Sequence, residues 1–244
     1  MSKCLLAVLF LCSFFKISYC QSGGANETSA LQHARQLYVN SLSQQAGIYS
    51  GPDYLGYPHP VKDGHPFFLS AEPFKGEIYY DGIQYKDIPM WYDLAKNEVI
   101  IQRYDNFSRI SLHPERIRDF SISGHHYIKI DETASGRTGL AKGFYDQLYH
   151  KKSEVLVRRS KDFLINTNID GVWVSFSNEK NAVFIRTGTE YKQVSSQKSV
   201  LQALGKYQKE IQADLKQTKI RFNKEREKAI IIMVAYYDEL NSQL

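Results

Sequence analysis

Gly76-Glu77-Ile78-Tyr79-Tyr80-Asp81-Gly82-Ile83-Gln84-Tyr85 is the stretch that decides the fold class. Apolar and aromatic residues flank Asp81-Gly82, a pair that tolerates the positive φ angles of a tight type I′ turn, so the stretch predicts a β-hairpin. Downstream, Ile88, Met90, Tyr92 and Leu94 fall on one face of a continuing strand, with Asp87, Pro89, Trp91 and Asp93 on the other. Lys96-Asn97 then turns the chain into Val99-Ile100-Ile101. The same period of two runs from about Phe67 to Val194. Phe120 and Ile122 precede Ser123-Gly124 and a run from Tyr127 to Ile130. Val172, Val174 and Phe176 precede a polar turn at 177–180, Val183-Phe184-Ile185, and then Tyr191 and Val194. Short connections join antiparallel neighbours, so these segments predict an antiparallel β meander, with a curved half-barrel as its strongly twisted form.

The flanks change period. Leu31, Ala34, Tyr38 and Leu42 recur at helical spacing and predict an N-terminal helix over 28–45, stopped near Gly47. Residues 50–66 hold four of the seven prolines, which predicts an ordered loop held to the body by Tyr49, Tyr54 and Tyr57. After Ser195 the helical period returns. A short helix ends at Gly205, a second covers 206–219, and Asn223 is placed to cap a third running through Leu240. The fold class is therefore α+β: residues 28–194 form the helix and meander, and 195–244 form a helical C-terminal cap packed on the sheet.

The N-terminus predicts export. Lys3 precedes an apolar run over 4–15, and Ser18-Tyr19-Cys20 offers small residues where a signal peptidase reads them. A run this short falls below the roughly 20 residues a membrane helix needs. Residues 1–20 thus read as a signal peptide and 21–27 as a flexible leader. All three cysteines, Cys4, Cys12 and Cys20, lie in that segment, so cleavage leaves a chain with no disulfide and no thiol chemistry. The alternative is a lipoprotein anchored at Cys20, against which the bulky Tyr19 argues.

Gly76-Glu77-Ile78-Tyr79-Tyr80-Asp81-Gly82 combines with Trp91-Tyr92-Asp93, Ile117-Arg118-Asp119-Phe120, Gly143-Phe144-Tyr145-Asp146-Gln147-Leu148-Tyr149 and Tyr236-Tyr237-Asp238-Glu239-Leu240. In this combination the chain resembles uncharacterised exported β-rich proteins of Bacteroidota-type cell envelopes. The resemblance implies an envelope location, periplasmic or envelope-associated. Its motifs are structural, and it implies no activity and no site residue.

The chemistry-bearing residues form no recognisable constellation. His125 and His126 are adjacent on a strand and point to opposite faces, a poor start for a metal site. His59 and His65 share the proline-rich loop and need His33, His113 or a carboxylate to complete an oxygen/nitrogen site. The Gly-rich stretch 133–143 lacks two of the positions a phosphate loop requires, having Ala141 and Gly143 there. No serine stands in a nucleophile elbow. Asp81, Asp87, Asp93 and Asp119 read as turn and solvent-face residues. No catalytic residue, metal ligand or cofactor is assigned.

Basic side chains number 31 against 26 acidic ones, an excess too small and dispersed for a nucleic-acid binder. The one uneven region is 192–228, with ten basic residues against four acidic. Its Lys209, Lys216, Lys219 and Arg221 are the candidate contacts to an anionic surface. Ala229 to Tyr237 follows, apolar around the whole helical circumference and expected to be buried against the sheet. The chain is aromatic-rich, with 17 tyrosines. The function expected is that of a secreted, non-catalytic cell-envelope protein acting through a protein partner or as a structural accessory. Two alternatives stand beside it: a periplasmic carrier of an apolar or lipid ligand, and a hydrolase. No transmembrane segment is expected in the mature chain.

Overall fold

The computed structural model describes residues 47–131 and 139–242, together with 29–31, 33, 34 and 37. The chain forms two compact units, Met1–Ser41 and Leu42–Leu244. In the first, every described position is helical and exposed, Leu31 and Leu37 included. Tyr38 and Leu42 of the expected stripe, the signal segment and the leader lie outside the described residues.

The second unit is built on a ten-stranded antiparallel sheet that is not closed. Its strands are β2 (Phe74–Tyr80), β3 (Ile83–Asp93), β4 (Glu98–Gln102), β5 (Arg109–Ser111), β6 (Ile117–Ile122), β7 (His125–Ile130), β8 (Gly143–His150), β9 (Glu154–Ser160), β12 (Lys180–Arg186) and β13 (Tyr191–Val194). A second, three-stranded sheet holds β1 (Val61–Asp63), β10 (Phe163–Asn168) and β11 (Gly171–Phe176). The hairpin at Asp81-Gly82 forms as expected. Tyr80 pairs with Ile83, and the turn residues have φ of 53° and 78°, the geometry of a type I′ turn. Ser123 and Gly124 repeat it between β6 and β7, with φ of 50° and 80°.

The large sheet runs in the order β13-β12-β9-β8-β7-β6-β2-β3-β4-β5. It departs from a plain meander where the chain leaves the β5 edge and returns to place β6 beside β2. Residues 112–116 make this connection, three of them in the 3-10 turn Pro114–Arg116. Four strand spacings occupy about 19 Å in a flat sheet, more than such a wound connection covers. The sheet therefore curls toward its β5 edge. Its inner face is filled by Tyr92, Phe120, Tyr127 and Phe144, each at most 1% exposed. Phe120 and Tyr127 stack at 4.8 Å, and Tyr92 meets Tyr127 edge-on at 4.9 Å. Gly76 admits the close approach of its neighbours, because a Cβ there would lie 2.5 Å from the Ser121 carbonyl and 2.6 Å from Met90 Sδ.

Three helices form the expected cap: α1 (Gln197–Leu204), α2 (Gln208–Gln217) and α3 (Arg226–Leu240). Ser196 caps α1, its Oγ accepting from the Ser199 N–H, and Gly205 ends it with φ of 75°. Ala229, Ile230, Met233 and Val234 of α3 pack on Val155, Val157, Val183 and Ile185 of the sheet, with Ile211 and Leu215 of α2 beside them. Burying each of the larger of these side chains contributes about 1.5–3 kcal/mol.

Several expectations need correction. Asp93 does not meet solvent: at the end of β3 it and Trp91 are buried, because Phe67 and Tyr54 of the preceding loop cover them, whereas Asp87 and Pro89 earlier on the strand are exposed. The proline-rich segment contains a strand, β1, in the proline-free step between Pro60 and Pro66, and it pairs parallel with β11. β11 does not neighbour β12. Instead β12 pairs with β9, whose buried valines match its own under the cap, and β10–β11 forms a separate hairpin. α3 begins at Arg226 with Glu225 at its cap position, so Asn223 does not cap it. Ile231 is only half-buried, so α3 buries a stripe and not its whole circumference.

Candidate functional site

The three-stranded sheet is tied to the large one by a buried carboxylate. Asp93, at the end of β3, is 0% exposed. It accepts hydrogen bonds from Tyr54 Oη at 2.7 Å and Tyr57 Oη at 3.0 Å, and from the N–H groups of Ala95 and Lys96 at 2.9 Å each. Burial, reinforced by this carboxylate, pushes the phenol pKa of Tyr54 and Tyr57 well up. The Lys96 ammonium lies 5.0 Å and 4.8 Å from the two ring centroids and donates to the Gly56 carbonyl. Tyr57 in turn meets Phe163 at 5.1 Å and Phe176 at 4.8 Å, both edge-on. Lys161 donates through Nζ to the carbonyls of His65 and Phe67, and Asp162 pairs with Lys180. Burial lowers the Lys161 pKa. The base of the β10–β11 hairpin is therefore fixed.

Beyond that base β10 and the turn are apolar and largely uncovered, although Val174 of β11, opposite Ile165, is fully buried. Phe163, Ile165 and Val172 are 41%, 55% and 38% exposed, and Ile169 at the tip is 100% exposed. Alternation and register put Phe163, Ile165, Thr167, Val172 and the neighbouring Val61 on one face. Six of the twelve exposed large apolar side chains among the described residues lie in this small sheet and its hairpin turn, so the clustering is local. β10 has β11 on one side and, among the described residues, no strand on the other. A long, uncharged edge with exposed apolar side chains is a feature that natural sheets usually shorten, charge or cover.

A second constellation is polar. Arg159, on β9, is buried and uses every N–H. Nε and Nη2 donate to Asp146 Oδ2, Nη1 and Nη2 form a two-pronged pair with Glu227 of α3, and Nη1 also reaches Glu179 at 3.1 Å. His125 Nδ1 stands 2.7 Å from Asp146 Oδ2. Burial works against the Arg159 charge, but the hydrogen bonds and charges of Glu227 and Asp146 outweigh it and raise its pKa. Tyr127 Oη and Asp146 Oδ1 are buried without a hydrogen-bond partner among the described residues. This cluster joins β7, β8 and β9 to the helical cap. A third feature is an open cleft of about 470 Å³ between the β3–β4 turn and the start of β8, lined by Asn97, Glu98, Pro114, Lys129 and Phe144 among others. Lys129 crosses to the carbonyls of Pro114 and Glu115 there.

The residues singled out in the sequence are placed as follows. Lys209 and Lys216 lie two turns apart on α2, and Lys219 and Arg221 follow in the α2–α3 connection. All four are exposed, and none forms an ion pair among the described residues. His125 and His126 do face opposite sides, the first toward Asp146 and the second toward Ser121 Oγ at 3.1 Å. His65 stacks near Phe67, and His113 lies 3.5 Å from Glu115. Among the described residues no group of three or more His, Cys, Asp or Glu side chains is placed to hold a metal ion. The stretch 132–138 lies outside the described residues.

Sequence reasoning missed β10 and the Arg159 cluster. The alternation of Phe163, Ile165 and Thr167 before Asn168-Ile169-Asp170-Gly171 is a hairpin signal. The cluster had none, because its members are spread over more than 100 positions from His125 to Glu227. No protein-family model, curated protein or solved structure matches the chain.

Proposed function

We propose that this is an exported, non-catalytic cell-envelope protein that acts by protein contact through the three-stranded sheet. The observation that carries this reading is where the apolar surface lies. The inner face of the curled sheet is filled with its own aromatic side chains, whereas the β10–β11 hairpin displays Phe163, Ile165, Ile169 and Val172 to solvent. A carrier of an apolar ligand needs the reverse arrangement, an open apolar interior. The polar cluster at Arg159 suits a structural clamp better than hydrolysis, since every guanidinium N–H is already engaged with a carboxylate.

Export rests on the N-terminal sequence pattern. Among the described residues no helix is long and apolar enough to cross a membrane. The test is a photo-crosslinking residue in place of Ile169, expressed in the full chain in a cell with an envelope. A discrete adduct in the envelope fraction, absent when the crosslinker replaces exposed Lys75, is the expected result. Retention of the whole product in the cytosol, or the absence of any Ile169 adduct, would overturn the reading.

The basic surface supports a second contact. Lys209, Lys216, Lys219 and Arg221 are exposed and unpaired among the described residues, which favours docking on anionic lipid headgroups at low salt. Vesicle partitioning of the wild type against a charge-reversed Lys209/Lys216/Lys219 variant tests it, and equal partitioning would remove the basis for that contact.

A further inference from the structure

We propose that the partner of the three-stranded sheet is a second copy of this chain, joined to it by antiparallel pairing of the two β10 edges about a two-fold axis through Ile165. This rests on the reading of that sheet as a contact surface and names its occupant.

The direction of the backbone groups sets what can pair here. The Ser177 N–H donates to the Asp162 carbonyl, and register places Leu164 opposite Ser175, Asn166 opposite Trp173 and Asn168 opposite Gly171. Hydrogen-bonded and non-hydrogen-bonded pairs alternate along an antiparallel ladder. Residues 162, 164, 166 and 168 therefore bond to β11, and Phe163, Ile165 and Thr167 turn their N–H and C=O groups to the open edge. β11 obeys the same alternation on its far side, where the Val174 N–H bonds to the Pro60 carbonyl.

An antiparallel strand satisfies all three open residues only if it presents its own open residues at the same spacing of two. A second β10 does so. With Ile165 opposite Ile165 of the second copy, Phe163 faces Thr167, and every outward N–H and C=O of both strands finds a partner. The same register sets Leu164 against Asn166, Asp162 against Asn168 and Lys161 against Ile169, so no like charges oppose one another along the strand. It also brings the apolar faces side by side, covering the half-exposed Phe163 and Ile165 of each copy. The edge lacks the features that prevent such pairing: between Phe163 and Asn168 it has no charge, no proline and no bulge. Its hydrogen-bonding pattern, its charges and its apolar face are each self-complementary, as a closed two-fold interface requires.

Sedimentation of the full chain over a concentration series is the primary test. The expected result is a two-chain mass for the wild type and a one-chain mass for Ile165→Lys and for Thr167→Pro. Ile165 is exposed and the Thr167 N–H faces away from β11, so both variants should retain the wild-type circular dichroism and thermal midpoint. Cysteine placement reads the register. Cα atoms of a hydrogen-bonded antiparallel pair lie about 5.5 Å apart, within the span of a disulfide. With Cys4, Cys12 and Cys20 replaced by serine, oxidised Ile165→Cys should give a two-chain band that neither this background nor Leu164→Cys within it gives. A one-chain mass for the wild type at every concentration overturns self-pairing, as does a two-chain mass that survives Ile165→Lys. A monomeric protein whose Ile169 crosslinker still captures a distinct envelope protein refutes self-pairing alone. A monomer giving no Ile169 adduct refutes the contact surface as well.

Discussion

Replacing Asp93 tests the joint between the two sheets. Its carboxylate is fully buried and serves four donors: two tyrosine hydroxyls and two backbone N–H groups. Asp93→Ala leaves all four without their acceptor. Hydrogen bonds to a charged group contribute about 1.5–3 kcal/mol each, but losses at one centre are not additive, and Tyr54 and Tyr57 are only half-buried and can turn to water. The net cost should be about 3–5 kcal/mol, a large fraction of the roughly 5–15 kcal/mol that holds a typical domain folded. Asp93→Asn keeps the shape. Its amide oxygen can still accept from Ala95 and Lys96, and the tyrosine hydroxyls can reverse and accept from the new NH2, so its cost should be about 1–2 kcal/mol. Urea unfolding followed by tryptophan fluorescence measures both, since Trp91 lies on the same strand face. Hydrogen exchange adds the location: β10 and β11 should lose protection in Asp93→Ala before β6 to β9 do. An alanine variant within about 1 kcal/mol of the wild type, or an asparagine variant as damaged as the alanine one, would refute the assignment of Asp93 as the joint.

Arg159→Met should cost about 3–5 kcal/mol in urea unfolding, because it strands the buried Asp146 carboxylate, and adding Asp146→Leu should recover part of the loss; no recovery would mean the network is not coupled. Gly82→Val should cost about 1–2 kcal/mol through the φ of 78° it must adopt, and an unchanged midpoint would contradict the type I′ turn. Ile230→Asp should abolish folding, since Ile230 is fully buried, whereas half-buried Ile231→Asp should leave a folded protein with a lower thermal midpoint. Stability should also fall in alkali. Burial and the Asp238 carboxylate push Tyr149 up to about 12, and burial and Glu154 do the same to Tyr191. The folded protein thus holds phenolic protons that the unfolded chain releases near pH 10, so this contribution is intact below about pH 10 and lost as pH rises toward about 12. Titration of all phenols at about pH 10 without loss of circular dichroism would contradict it.

Much of the architecture was legible in local sequence. Asp81-Gly82 and Ser123-Gly124 specify their turns through φ alone, and Ser196 and Gly205 bound α1 through groups within a few residues of each other. What escaped depends on partners distant in the chain. Asp93 reads as a solvent-face residue and Trp91 shares its strand face, yet both are buried because Phe67, Tyr54 and Tyr57 fold over them. The choice of β9 over β11 as neighbour of β12 depends on which valines lie beneath α3. For the candidate site, the basic residues from Lys209 to Arg221 were visible as a charge excess, whereas β10 shows its meaning only as a free edge, a property of the sheet and not of the strand.

Ser160, the last residue of β9, and Lys180, the first of β12, are directly opposed in the large sheet. The chain leaves that sheet and re-enters it at one point, and the 19 residues between form an excursion whose two ends already touch. Beyond its bonded ends at Lys161, Asp162 and Glu179, such a segment can change length or sequence without disturbing the register on either side, as in a domain insertion. The curled sheet and its cap can therefore be preserved for stability while the outer part of the excursion diversifies, provided that Lys161, Asp162 and Glu179 at its base keep their bonds, and under the proposed contact role a graft of a different hairpin tip between Leu164 and Val172 would redirect what the protein binds.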